Sequence, residues 1–273
     1  MPQTGEIERR HAVEEGNRIT FGYPEFSKVF CAEYDSLIRT LGTVEKAVNE
    51  TFSTPGKEPL HRICRHLAKA VANSFSAVLL LCGNGFGTDA MKIVRGMFES
   101  TLTIMYLKKH PKELQDFMDY HWISAMKRQR DTGKYAPELL KQITPEAIEA
   151  IENGYARVAD RFRNKNGKVR LRWSRKSLFE IAADVGMDQH YFTVYGFGSA
   201  LQHGDMSGIG MQLDQEPGIL DVDIAPSKRW IKEALISAYT CFVTAMFEYI
   251  DLARPEISAI KEELLQAQKS ALN

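Results

Sequence analysis

Residues 59–110 read PLHRICRHLAKAVANSFSAVLLLCGNGFGTDAMKIVRGMFESTLTIMYLKKH, and this stretch decides the fold. Leu60, Ile63, Leu67, Val71, Phe75 and Val78 recur three and four apart, which is the period of one helix face. Pro59 suits a first helical turn, and the pattern runs to Cys82. Gly83-Asn84-Gly85-Phe86-Gly87 reads as a loop. Thr88 is the expected cap of a following helix that ends before Pro111. That second helix carries Ile93, Val94, Met97, Phe98, Ile104 and Met105, apolar on nearly every side, as in a buried helix.

Working outward, helical periodicity continues. A first helix is predicted from Pro24 to about Phe52, broken by Ser53-Thr54-Pro55-Gly56. A fourth covers Pro111 to about Arg130, and a more polar helical stretch follows from Pro137 to Arg163. After a basic loop come helices from Lys176 to Val185 and from Asp188 to His203, then a long one from Ser227 to Ala253. Between them Met211, Leu213, Ile219, Val222 and Ile224 surround Glu216-Pro217-Gly218. The expected fold is therefore all-α: a helical bundle with one loop or small hairpin insertion around 204–227. One helical domain is expected over 1–273, with its core at about 24–253, an N-terminal arm at 1–23 and a polar C-terminal helix at 255–271.

Thirty-five basic and thirty-five acidic residues cancel, so no global charge draws the chain to nucleic acid or membrane. The opening MPQTGEIERR lacks the apolar core of a secretory signal. The uncharged run 70–88 is interrupted by Asn73, Ser74, Ser76 and Asn84, so no membrane span is expected. Cys31, Cys64, Cys82 and Cys241 are scattered within apolar helical patterns and read as small hydrophobes. No metal site and no cofactor are expected, and a reducing cytoplasm fits. The amphipathic C-terminal helix points to a homodimer.

Four features carry chemistry. Arg95 and Glu99 lie four apart on one face of the apolar helix, where charge is costly unless paired. Tyr195, Ser199 and His203 also follow at intervals of four, and Gly196 and Gly198 between them permit close approach of another helix or a ligand. His203 precedes Gly204 and Asp205 in a last turn, where the helix dipole favours an imidazolium. Asp116 and Tyr120 form a third polar stripe. Finally, the segment from Arg157 to Lys176 holds nine basic residues and one acid, Asp160. Within it Arg161, Arg163, Lys168, Arg170, Arg172, Trp173 and Arg175 suit phosphate contacts with base stacking, and Lys127, Arg128 and Arg130 are expected nearby. P-loop, GxGxxG and GxSxG signatures are missing, which removes nucleotide-fold and hydrolase-elbow readings.

R-x-x-x-E at Arg95 and Glu99, followed by Y-x-x-x-S-x-x-x-H-G at Tyr195, Ser199, His203 and Gly204, resembles a bacterial family of uncharacterised all-α proteins. That family stands alongside the HEPN superfamily of helical bundles, many of which are metal-independent ribonucleases of toxin and phage-defence systems. The resemblance covers roughly residues 60–250. It departs from HEPN ribonucleases in one respect: Gly198, Phe197 and Gly196 occupy the offsets before His203 where those enzymes carry Arg.

Two readings follow. In the first the protein is a metal-independent endoribonuclease: His203 is acid/base, Arg95 stabilises the phosphorane, Glu99 orients, Ser199 or Tyr120 assists, and the basic run binds RNA. In the second it is a non-catalytic helical module, and Arg95, Glu99 and His203 form an internal network. Removing one member of a buried network strands a charge at about 3–5 kcal/mol.

Overall fold

A computed structural model describes residues 22–203, 210 and 226–272. Nearly all of the expected arm and insertion therefore lies outside the described residues. Among these residues the chain is an all-α bundle with no β-strand. Helices α1 (Pro24–Glu33) and α2 (Asp35–Thr51) replace the single first helix expected from sequence. The break falls at Tyr34, with φ −108° and ψ 33°. It re-aims α2 so that Leu37, Val44 and Ala47 are buried.

Helices α3 (Pro59–Gly83) and α4 (Gly87–Lys109) follow as a hairpin. Cys64, Ala68, Val71, Phe75, Val78 and Cys82 form the buried stripe of α3. Phe86, not Thr88, occupies the cap position of α4. The glycine loop serves another purpose. Gly85 has φ +83°, and a Cβ on Gly87 would lie 2.2 Å from the Arg229 carbonyl oxygen. The loop is thus pressed against the chain entering a later helix, where Ser227 N–H donates to the Gly85 carbonyl at 3.0 Å.

A short 3₁₀ turn (Pro111–Glu113) leads into α5 (Leu114–Tyr135). The predicted polar helix is divided into α6 (Pro137–Leu140), α7 (Pro145–Val158) and a 3₁₀ turn (Ala159–Phe162), because Thr144 caps a new start with Pro145 in its first turn. Helix α8 (Leu178–Asp184) opens with a capping box between Ser177 and Glu180. Next come α9 (Asp188–His190), a π turn (Tyr191–Gly196) and α10 (Phe197–His203). The chain ends in α11 (Ile231–Ala253), a 3₁₀ turn (Pro255–Ile257) and α12 (Ala259–Leu272).

The centre is the triangle α3–α4–α11, in which Phe75 stacks on Phe242 at 4.8 Å and meets Tyr239 edge-on. Helices α3 and α11 are long and apolar enough to cross a membrane by length and composition; here they pack on each other and on α4. Helices α2 and α12 pair on one flank, while α10 covers the remaining side of α4. A smaller apolar cluster of Ile123, Val158, Ala159 and Phe162 joins α5 to α7 as a wing.

Candidate functional site

Arg95 is the centre of the polar cluster on α4. Its Nη2 lies 3.2 Å from Glu99 Oε1, the pair expected one turn apart. Nη2 also donates to the Tyr195 hydroxyl at 3.1 Å, and the guanidinium carbon sits 4.8 Å from that ring's centroid. Nη1 donates to Gln202 Oε1 at 2.8 Å. These contacts need close helices, and Gly198 supplies them: a Cβ there would lie 2.9 Å from both Arg95 Cβ and the Met91 carbonyl. Gly196 has only the Tyr191 carbonyl, at 3.7 Å, and serves no such contact.

Two expectations are corrected. The pair is not deeply buried, since the Arg95 side chain is 21 % exposed and that of Glu99 42 %. Helices α3 and α11 close two sides of α4, but the third is covered only by the π turn and the short helix α10, which leaves the charged tips wet. Nor does the cluster include His203. That residue is exposed and makes no hydrogen bond or ion pair with any described residue. Ser199 is half-buried and flanks the cluster without joining its hydrogen bonds. Gly204 and Asp205 lie outside the described residues. Gln202 was missed by sequence reasoning; its signal is the i, i+3, i+7 spacing of Tyr195, Gly198 and Gln202.

Tyr120 belongs to the wing instead. It donates to the Arg170 carbonyl at 3.0 Å and meets the Phe162 ring edge-on. Burial pushes its phenol up, against the opposing pull of Arg170 and Arg172.

Acids from distant helices partly neutralise the basic run. Arg161 pairs with Asp119 and, at 3.3 Å, with Asp116, both on α5. Burial pushes the Asp119 carboxyl up, but hydrogen bonds from Gln115 and Arg161 outweigh this and hold it below the usual range. Lys176 joins Lys109 and His110 around Asp184 at the end of α8. Arg163 binds Asp160 and the Gly167 carbonyl. Trp173 is not a free stacking platform, because it packs edge-on against Phe117 and Tyr106.

The remaining cations define a groove. Helix α5, Tyr155 and residues 169–171 enclose about 580 Å³, lined by Lys127, Arg128, Arg130 and Arg170 with one acid, Asp131. The expected proximity of Lys127, Arg128 and Arg130 to the basic run is observed here. Arg130 lies over the Tyr155 ring at 5.0 Å, and Arg170 over Phe162 at 5.1 Å. Arg170 Nε and Nη1 are buried without a hydrogen-bond partner. Burial, and then the nearby Arg175 charge, lower the Arg170 pKa. Lys168, Arg172 and Arg175 are exposed and carry no ion pair among the described residues. No group of three or more His, Cys, Asp or Glu side chains is placed to hold a metal among the described residues.

Compared with known proteins, residues 61–219 match a family of unknown function, DUF5677. The match spans more than half of the 273 residues, so the chain belongs to that family. It includes Arg95, Glu99, the π turn, α10 and the whole basic groove. No curated protein and no solved structure matches the chain.

Proposed function

We propose that this protein is a helical module that binds single-stranded RNA along the groove between α5 and residues 169–171, and that the Arg95 cluster is the internal clamp seating α10 on α4. The observation that carries the reading is Arg170: a half-buried guanidinium with two unpartnered donors, among three further cations and one acid. A half-buried cation with no ion pair among the described residues fits an anionic ligand, and guanidinium matches phosphate geometry. Arg172 and Arg175 lie close enough to act electrostatically on Tyr120 and Arg170, which extends the track beyond one phosphate. The tyrosine rings are already covered by Arg130 and Phe162, so backbone contacts carry the binding and it is sequence-tolerant.

The test is fluorescence anisotropy of a labelled RNA oligomer across a salt series. Arg170→Gln is expected to weaken binding and reduce the salt slope by about 0.7, the value for one phosphate contact on a single strand. Salt-independent binding, or an unchanged slope in the variant, refutes the reading. Stronger competition by an acidic peptide than by RNA transfers the groove to a protein partner.

His203 supports a second reading. It is exposed, has no hydrogen-bond or ion-pair partner among the described residues, and directly follows Gln202, which holds Arg95. In a metal-independent, HEPN-like endoribonuclease with a defence or toxin role, His203 is the acid/base, Arg95 faces the phosphate, Glu99 orients it and Ser199 assists. Cleavage of RNA in EDTA by the wild type, lost in His203→Ala, establishes this second reading. Binding without cleavage leaves the first.

A further inference from the structure

A cavity of about 340 Å³ opens between α4, the π turn and α11, and none of its lining residues belongs to the basic groove. Its walls are apolar, formed by Met91, Phe98, Met187, Val194, Phe197 and Ile236. Two ring nitrogens among its lining residues, His190 Nδ1 and Trp230 Nε1, are buried without a hydrogen-bond partner. Glu233 stands exposed at its rim and has no ion pair among the described residues.

These features point to a ligand. An indole N–H is a donor only, and burying it unpaired is unfavourable. An apolar pocket with a few converging polar groups, at the lower end of the usual size range, is the common form of a small-molecule site. Two unusual backbone segments border it. The π turn contributes Thr193 and Val194 to the wall. Trp230 is the one described non-glycine residue with positive φ, at 61°. Both kinds of irregularity concentrate at functional sites. The close approach of Gly87 to residues 229–231 holds the Trp230 backbone in place.

We propose that this cavity binds a small planar heteroaromatic molecule that presents an N–H or cationic edge to Glu233, and that the Trp230 indole turns on binding so that its unpaired Nε1–H donates to the ligand. The flat apolar body lies against Phe98 and Phe197. The site shares no residue with the basic groove, so it stands whether or not RNA binds there.

Isothermal titration with benzimidazole, which carries both an acceptor nitrogen and an N–H, tests the proposal on the full chain. Saturable one-site binding is expected. Trp230→Phe keeps the ring and removes the donor, and is expected to weaken binding about tenfold, the loss of one hydrogen bond. Ser237→Leu adds bulk to the cavity wall and is expected to abolish binding while RNA affinity and melting temperature hold. Absence of saturable binding to the wild type overturns the proposal, as does equal affinity in all three proteins. Should Ser237→Leu fail to fold, the Trp230→Phe comparison decides alone.

Discussion

Two glycines separated by one residue are expected to respond oppositely to the same substitution. In Gly198→Ala the new Cβ meets Arg95 Cβ and the Met91 carbonyl oxygen, each at 2.9 Å. Comfortable contacts between carbon atoms begin at about 3.5 Å, so α10 must move off α4 by roughly half an ångström. Neither obstacle can swing aside, because one is backbone and the other is fixed to it. Such overpacking costs about 1–3 kcal/mol. Replacing a helical glycine returns about 0.5–1 kcal/mol. The net is a loss of about 1 kcal/mol, or about 2–4 °C in melting temperature for a chain of this size. The same movement stretches the Arg95 bonds to Gln202 and Tyr195, now 2.8 and 3.1 Å. In Gly196→Ala the nearest atom is the Tyr191 carbonyl at 3.7 Å, an ordinary contact. Gly196 has no positive φ, so only the helix-propensity gain remains. Its melting temperature is expected to rise by about 2 °C. Thermal unfolding followed by far-ultraviolet circular dichroism checks both. If Gly198→Ala melts at or above wild type, or the two shifts share a sign, the close-approach argument fails.

Glu99→Ala is expected to lose under about 1 kcal/mol in urea denaturation, because the half-exposed pair is worth far less than a buried one; a loss of several kcal/mol contradicts the exposed geometry. Hydrogen bonds from Lys109, then Lys176 and His110, hold the Asp184 carboxyl well below its usual range. A depressed folded-state pKa stabilises above the unfolded value and is lost as pH falls through the folded one. The melting difference between wild type and Asp184→Asn should therefore be constant above about pH 5 and shrink below about pH 4, and a difference that grows in acid refutes the network. Burial pushes the Cys64, Cys82 and Cys241 thiols up to about 12. Cys31 is exposed, contrary to its apolar sequence context. One thiol should react rapidly with a disulfide reagent in the native protein and four in denaturant; three or four fast thiols in the native state disprove the packing.

Local patterns carried most of the fold. The α3 stripe is set by neighbours three and four apart, and Arg95 with Glu99 by a single helical turn, so both were legible without tertiary knowledge. The break at Tyr34 was not, since it answers to what α2 packs on, whereas the restart at Thr144 carries a local signal, a capping Thr followed by Pro145, within what reads as one polar helical stretch. The basic run shows the same limit more sharply. Its counter-charges Asp116, Asp119 and Asp184 belong to other helices, and Trp173 is covered by Tyr106 and Phe117 from outside the run. A charge count along a segment says nothing of such long-range partners.

The polar cluster shows how a pattern of fours drifts off a helix face. An unbroken α-helix through residues 188–203 permits Tyr195, Ser199 and His203 to share one stripe, and that spacing nominated them. A spacing of four advances about 40° beyond a full turn at each step, so that stripe drifts, whereas Tyr195, Gly198 and Gln202, at i, i+3 and i+7, stay within about 60° of one another. The side chains reaching Arg95 are then Tyr195 and Gln202, with Gly198 between them as the point of contact. Ser199 and His203 are each one position further on, rotated by about a hundred degrees from that face. His203 is thereby released from the clamp and left at the surface. That offset separates the stabilising role of Arg95 from any role of His203, so His203→Ala should leave the melting temperature unchanged.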